Sequence, residues 1–206
     1  MSDNEGFACL AAVGDDRVGL VRDVTALLVD LGVNIGSIRS ATLGAEFALL
    51  AHFGGTPEQL RAVEAATASL QRQTELSVLF HRSKQVDRRE PAHAITHDLF
   101  VSAYDTVGIV SELARALALR NVNIERLGGD QYPAPNQGLP LFTVVASLHL
   151  PAVVDEAAVR ADLEALRARH GWADADLQPH GRYDVSALAD APGFPPRHRW
   201  SEHETP

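Results

Sequence analysis

Apolar positions along this chain alternate between two periods, and the alternation is written twice. Phe7 to Val13 (FACLAAV) is a short apolar run that stops at Gly14-Asp15-Asp16, which predicts a buried strand and a turn. Val21, Val24, Leu28 and Leu31 follow at steps of three, four and three, the stripe of a core-facing helix, with Gly32 as its C-cap. Ile35 to Leu43 predicts a strand, Gly44-Ala45 a tight turn, and Glu46 to Phe53 the antiparallel partner. Thr56-Pro57-Glu58-Gln59 has capping-box spacing and a proline at the first helical position. A second helix therefore opens there, with Leu60, Val63 and Leu70 inward, and Leu76 to Phe80 (LSVLF) is a fourth strand.

A charged stretch without apolar period, Arg82 to Pro91 (RSKQVDRREP), reads as a solvated connector, and after it the order returns. Ala94 to Tyr104 holds a strand, and the next helix runs Val110, Leu113 and Leu117 down one face. Ile124 to Gln131 and Leu141 to Leu150 are strands, the second strongly β-prone. Asp155 caps a helix with Val159, Leu163 and Leu166 inward, closed by Arg167, Arg169, His170 and Gly171, and Asp176 to Arg182 supplies the last strand.

The two halves agree in register. Asp105 less Asp16, Gly108 less Gly19, Asn123 less Asn34 and Ile124 less Ile35 each leave 89, with no insertion between them. A period that long is a small domain rather than a solenoid unit. Strand, helix, strand, strand, helix, strand is the ferredoxin-like split βαβ order, an antiparallel sheet with both helices on one side. The expected class is α+β: βαββαβ domains at 1–81 and 94–182, a charged linker at 82–93, and a proline-rich tail at 183–206. Two departures break strict repetition. Tyr132 to Pro140 (YPAPNQGLP) replaces the first copy's tight turn with a longer loop, and the tail has no counterpart.

Composition narrows the function classes. No run reaches the 18 apolar residues of a membrane span, and the acidic start (MSDNEG) is unlike a signal peptide, so a cytoplasmic protein is expected. Cys9 is alone, so no internal disulfide is expected, and it reads as a small buried hydrophobe. A net charge of −9 disfavours direct contact with nucleic acid.

No catalytic set holds together. GxSxG, P-loop and GxGxxG motifs are absent, and no cofactor is implied. His93 and His97 flank a strand start, where four residues put them roughly 13 Å apart, too far for a shared metal. His198 and His203 lie in the tail. The chain is expected not to be an enzyme.

What remains is the mouth of the first helix of each copy. Unpaired N–H groups and a partial positive charge there favour an anion, and Gly19 and Gly108 remove the side chain where a carboxylate would approach. Asn34 and Asn123 offer a donor and an acceptor each, but at the far end of the helix. Mouth and asparagine can meet only across two domains. A bland reading competes: Asp16 and Asp105 as N-caps, the glycines as turn residues, and the asparagines as positive-φ or turn residues.

DRVGLVRDVTALLVDLGVNI (Asp16 to Ile35) and YDTVGIVSELARALALRNVNI (Tyr104 to Ile124) resemble the DRxGx(V/L)…GxNI signature of ACT domains, small-molecule-sensing modules of amino-acid metabolism. Both repeats match, over roughly residues 7–182. Two such domains without an enzyme, SATLGAEFALL at Ser40 to Leu50 and the loop at Tyr132 to Pro140, resemble the glycine cleavage system transcriptional repressor family. The resemblance implies domains paired side by side and a small amino acid, glycine or similar, bound at their interface. It carries the ligand role to Asp16, Val18 and Gly19 with Asn34 and Ile35, and to Asp105, Val107 and Gly108 with Asn123 and Ile124. It further implies a homodimer or higher assembly and a regulator without its own DNA-binding domain. Such a regulator acts through a protein partner, a transcription factor or a metabolic enzyme. The family's proline before the signature glycine is Val18 in one copy and Val107 in the other, and Arg17 becomes Thr106. The two sites are therefore free to differ in ligand or occupancy. The competing function is a protein-interaction scaffold with no ligand response.

Overall fold

The computed structural model describes residues 6–83, 94–133 and 139–181. The chain divides into two compact units, 1–88 and 89–206. The tail at 183–206, His93 and all but the first two residues of the 82–93 linker lie outside the described residues.

In the first unit β1 (Gly6–Asp15), β2 (Asn34–Leu43), β3 (Glu46–Gly55) and β4 (Ser77–Ser83) form one antiparallel sheet in the order β2-β3-β1-β4. Successive side chains of a strand point to opposite faces. Ala8, Leu10 and Ala12 of β1 and Phe47, Leu49, Ala51 and Phe53 of β3 are accordingly all buried on one side. Two helices, α1 (Leu20–Asp30) and α2 (Pro57–Thr74), close that side with Leu20, Val24, Leu28, Leu60, Val63 and Leu70. Each such leucine is worth roughly 2 kcal/mol by burial. The helix stripe begins at Leu20 rather than Val21, which stays 44% exposed. The cause is where α1 starts: with Gly19 as N-cap, the Leu20-Val24-Leu28 row faces the sheet. At α2 the expected capping box is complete. Thr56 Oγ1 accepts from the Gln59 N–H, Gln59 Oε1 accepts from the Thr56 N–H, and Pro57 opens the helix.

The second unit repeats the plan with β5 (His97–Tyr104), α3 (Ile109–Leu119), β6 (Asn123–Tyr132), β7 (Leu141–His149), α4 (Glu156–His170) and β8 (Asp174–Pro179). Its sheet runs β6-β7-β5-β8, again antiparallel. Ile109, Leu113 and Leu117 of α3 are buried, with Val110 only partly so, the same one-residue phase shift as in the first copy. The element order and helix placement are those of two ferredoxin-like domains.

Two boundaries and one burial differ from expectation. The last strand is Asp174–Pro179 and not Asp176–Arg182. Its inward residues are Ala175 and Leu177, and its alternate acids are tolerated because β8 is an edge strand. In the first unit, β4 continues through Arg82 and Ser83, two residues into the stretch expected as linker. Cys9 is not in the core: it is half-buried on the side of β1 away from the helices, and burial raises its thiol pKa. No described helix is long and apolar enough to cross a membrane.

Candidate functional site: the paired helix mouths

Each unit turns from its first strand into its first helix through four residues that end in a left-handed glycine. Gly19 has φ 97° and Gly108 φ 104°, a region L-residues rarely enter, and each is the N-cap of its helix. Neither helix has a side-chain cap, so the first-turn N–H groups keep their capacity for an external acceptor. A Cβ on Gly108 would meet nothing within 4 Å, and on Gly19 only the Arg22 and Arg17 guanidinium ends at 3.8 and 3.9 Å. Val18 and Val107, just before them, are fully exposed. The mouths are open.

Asp16 and Asp105 are not N-caps, because the glycines three residues later hold that position. They tether the mouth to the hairpin end of the sheet. The Asp16 N–H donates to Ala45 O at 2.9 Å, and its carboxylate accepts from Thr42 Oγ1 at 3.4 Å. The Asp105 N–H donates to Pro140 O at 2.7 Å, and its carboxylate accepts from Gln131 Nε2 at 2.7 Å. Thr42 and Gln131 differ by the same 89 positions, so the repeat offset itself marks both tethers.

Asn34 and Asn123 are the first residues of β2 and β6, both exposed and both on edge strands. Neither has positive φ. That conformation falls on Gly32 (72°) and on Asn121 (58°), which end α1 and α3 in equivalent places. Asn123 Nδ2 donates to Glu125 Oε1 at 2.6 Å. Immediately beyond the asparagines, pairing slips between Ile35 and Ser37 and between Ile124 and Arg126, so each edge strand carries a bulge, which bends a strand and re-aims its side chains. Ile35 and Ile124 are half-buried and pack on their cores, which leaves their side chains a structural role.

Within a unit, then, Asp16, Val18 and Gly19 stand together, as do Asp105, Val107 and Gly108. The asparagine stands at the other end of an 11-residue helix, about 16 Å away. No single unit assembles the full set.

The mouths differ in charge. Arg17 and Arg22 both bond Asp23, at 3.0 and 2.7 Å. Hydrogen bonds from Arg22 and then Arg17 hold the Asp23 carboxyl below the usual carboxylate range. At the second mouth these three positions are Thr106, Ser111 and Glu112. Glu112 pairs instead with Arg115 at 2.6 Å, which lowers its pKa in turn. Among the described residues no group of three His, Cys, Asp or Glu side chains is arranged to hold a metal. His97 bonds Thr96 and Glu156. A cavity of about 690 Å³ opens on the first unit's helix-free sheet face near Val13, Leu50 and Leu79. None of the ten candidate residues lines it.

Residues 8–81 match the ACT domain family. The second unit has the same strand order and the same helix mouth. The first unit thus matches an ACT domain, and the second repeats its fold. Its sequence is similar to the glycine cleavage system transcriptional repressor of Escherichia coli K12, 24% identical over 163 residues, covering 79% of this chain and 85% of that protein. A crystal structure of an unknown protein from Galdieria sulphuraria superposes with a TM-score of 0.72 at 26% identity, covering 85% of this chain and 98% of that one. A candidate glycine cleavage system transcriptional repressor superposes at 0.67 and 24%, covering 85% and 97%. Both likenesses cover 85% of this chain and so take in residues of both units.

Proposed function

We propose that this tandem ACT-domain protein is a non-enzymatic regulator. It binds a small amino acid, glycine or one of similar size, where a helix mouth of one ACT domain meets the Asn of another. The observation that carries this reading is the repetition of an open, uncapped helix mouth behind a left-handed glycine, with an exposed edge-strand Asn too far away to serve the same unit. The ligand's carboxylate takes the first-turn N–H groups and Gly19 or Gly108 admits it, with Asp16 or Asp105 near its amine. Asn34 or Asn123 completes the site from the apposed domain, in the same chain or in a second copy of a homodimer. A ligand spanning two domains favours the arrangement in which they are correctly apposed, by its differential affinity for that arrangement. The protein that reads this arrangement is a transcriptional regulator or a metabolic enzyme. The Escherichia coli relative, a transcriptional repressor, supports the first.

Calorimetric titration with glycine, serine and larger amino acids tests the sensing step. Binding heat and a raised melting temperature are expected with the small ones, and both are lost in Asn34→Ala with Asn123→Ala. Absence of heat and of thermal shift with every amino acid at millimolar concentration overturns the proposal and leaves the scaffold reading.

A further inference from the structure

The first unit leaves one side of its sheet without helices, and the centre of that side is apolar. Val13, Leu50 and Leu79 stand there 48%, 50% and 66% exposed. Strand register sets them in two adjoining rows, Arg39–Leu50–Ala11–Leu79 and Ala41–Ala48–Val13–Ser77. The alanines form the floor of the 690 Å³ cavity, and the larger side chains rise around it. Polar residues border the rows, His52 and His81 at one end and Asp15 and Glu46 at the other. An apolar centre inside a polar rim is the anatomy of an interface. Strands of seven to ten residues give the whole face about 600 Å², close to the roughly 800 Å² that each partner of a standard interface buries. In the second unit Phe100 and Val145 occupy the places of Ala11 and Leu50, and both are buried. Asp98 beside them is buried too, bonded by Ser147 Oγ, His180 Nδ1 and the Gly181 N–H. The open face is the first unit's.

Its charges indicate what covers it. Asp15 and Glu46 lie directly opposite each other on β1 and β3, both exposed, a like-charge pair that costs stability unless a cation answers it. Among the described residues the face's one arginine or lysine is Arg39. It pairs with Leu50, four residues or about 13 Å along β3 from Glu46, too far to reach. The Arg39 guanidinium bonds only the Ile38 carbonyl, at 2.8 Å. One face therefore holds two acids without a cation and a cation without an acid, on opposite sides of Ala48. Such a face is complementary to itself under a two-fold axis, where residue i meets j and j meets i. With two copies face to face and the axis passing between Ala41 and Ala48, Arg39 of each copy comes against Glu46 of the other. Val13 of each then sits over the other's Ala11–Leu50 pair. The alanine floor lets the two sheets approach to about 10 Å, the spacing of a sandwich.

We propose that the helix-free face of the first unit pairs with the same face of a second copy, packed across Val13 and Leu50 and locked by Arg39 of each copy on the other's Glu46 and Asp15. This pairing does not rest on the amino-acid reading, since none of the ten candidate ligand residues lies in the two rows.

Sedimentation equilibrium of the full-length chain tests it. The parent should be a dimer at micromolar concentration. Arg39→Glu and Glu46→Arg should each weaken dimerisation at least tenfold, by setting like charges against each other. Mixed in equal amounts, the two variants should associate at least tenfold more tightly than either alone, because both ion pairs return with their signs exchanged. Leu50→Glu should abolish the dimer by placing a charge in the apolar centre. A parent that stays monomeric at about 100 µM overturns the proposal. So does a dimer that survives both charge substitutions, which must use another surface, and so does a mixture no tighter than its parts. Should Leu50→Glu fail to fold, the two exposed charge variants and their mixture decide.

Discussion

Gly19 and Gly108 sit in nearly superimposable backbones, φ 97° and ψ −5° against φ 104° and ψ −3°, yet the charged side chains around them differ. Arg17, Arg22 and Asp23 form a charged knot at the first mouth. Thr106, Ser111 and Glu112 stand at the second, without a cation among the three. What both copies keep is what the turn demands: a residue that tolerates the left-handed region, and an Asp whose N–H is tied to the hairpin end of the sheet. What they do not keep is the charge a ligand would meet. The duplication has held its backbone device and released its chemistry, which suits two sites of different affinity or ligand.

The strongest test of the shared part is Gly19→Ala beside Gly108→Ala. Each should cost about 1–2 kcal/mol, the price of a left-handed L-residue, and lower the unit's melting temperature by several degrees. The two losses should match, because neither Cβ meets an atom closer than 3.8 Å. A difference greater than about 1 kcal/mol between them in denaturant melts would break the equivalence. The second helices offer a smaller contrast. Thr56→Ala removes half of a reciprocal capping box and should cost about 1–2 kcal/mol. Asp155 accepts only from the Ala157 N–H, so Asp155→Ala should cost about 0.5–1 kcal/mol. Equal losses there would mean the Gln59 side chain adds nothing.

Much of this was legible in the residues, and the misses have physical causes. Element order, the Thr56 box and the two mouths follow from local signals that the repeat at 89 positions reinforces. Apolar spacing alone puts Val21 and Val110 in the inward stripe, because Leu20 and Ile109 beside them are equally apolar. The left-handed glycine sets the helix start and rotates the stripe by one residue. The positive-φ asparagine of Asn121-Val122-Asn123 is the first and not the second, as Gly32 in the other copy could have indicated. The bulges after Asn34 and Asn123 depend on the partner strand's register, which no local pattern encodes. Asp98 reads as a polar interruption in a strand. Its burial depends on His180 and Gly181, more than 80 residues away.

The tethers are unequal in a way stability can resolve. Gln131 reaches Asp105 at 2.7 Å, whereas Thr42 approaches Asp16 only at 3.4 Å. Asp105→Ala should therefore cost about 1 kcal/mol, and Asp16→Ala a few tenths, roughly the difference between a charged and a marginal hydrogen bond. Both variants keep the backbone bond to Ala45 or Pro140, so near-equal losses would assign the tether to the main chain alone.

The smallest effect bears most directly on the charge difference. Asp23 is only 21% exposed, and its depressed pKa means its pairing stabilises the fold fully above the ordinary carboxylate range. That contribution is lost as pH falls through the lowered value. Glu112 behaves alike through Arg115. Carboxyl-carbon NMR titration should show Asp23 moving up toward the ordinary range in Arg22→Ala, and less in Arg17→Ala, while Glu112 stays put in both. Arg115→Ala should do the reverse. If Arg17 and Arg22 instead serve the first mouth's anion, Asp23→Asn frees them, so ligand affinity at that mouth alone should rise. An Asp23 that titrates normally in the parent chain would mean the knot does not persist in solution. The two mouths would then differ in composition but not in electrostatics.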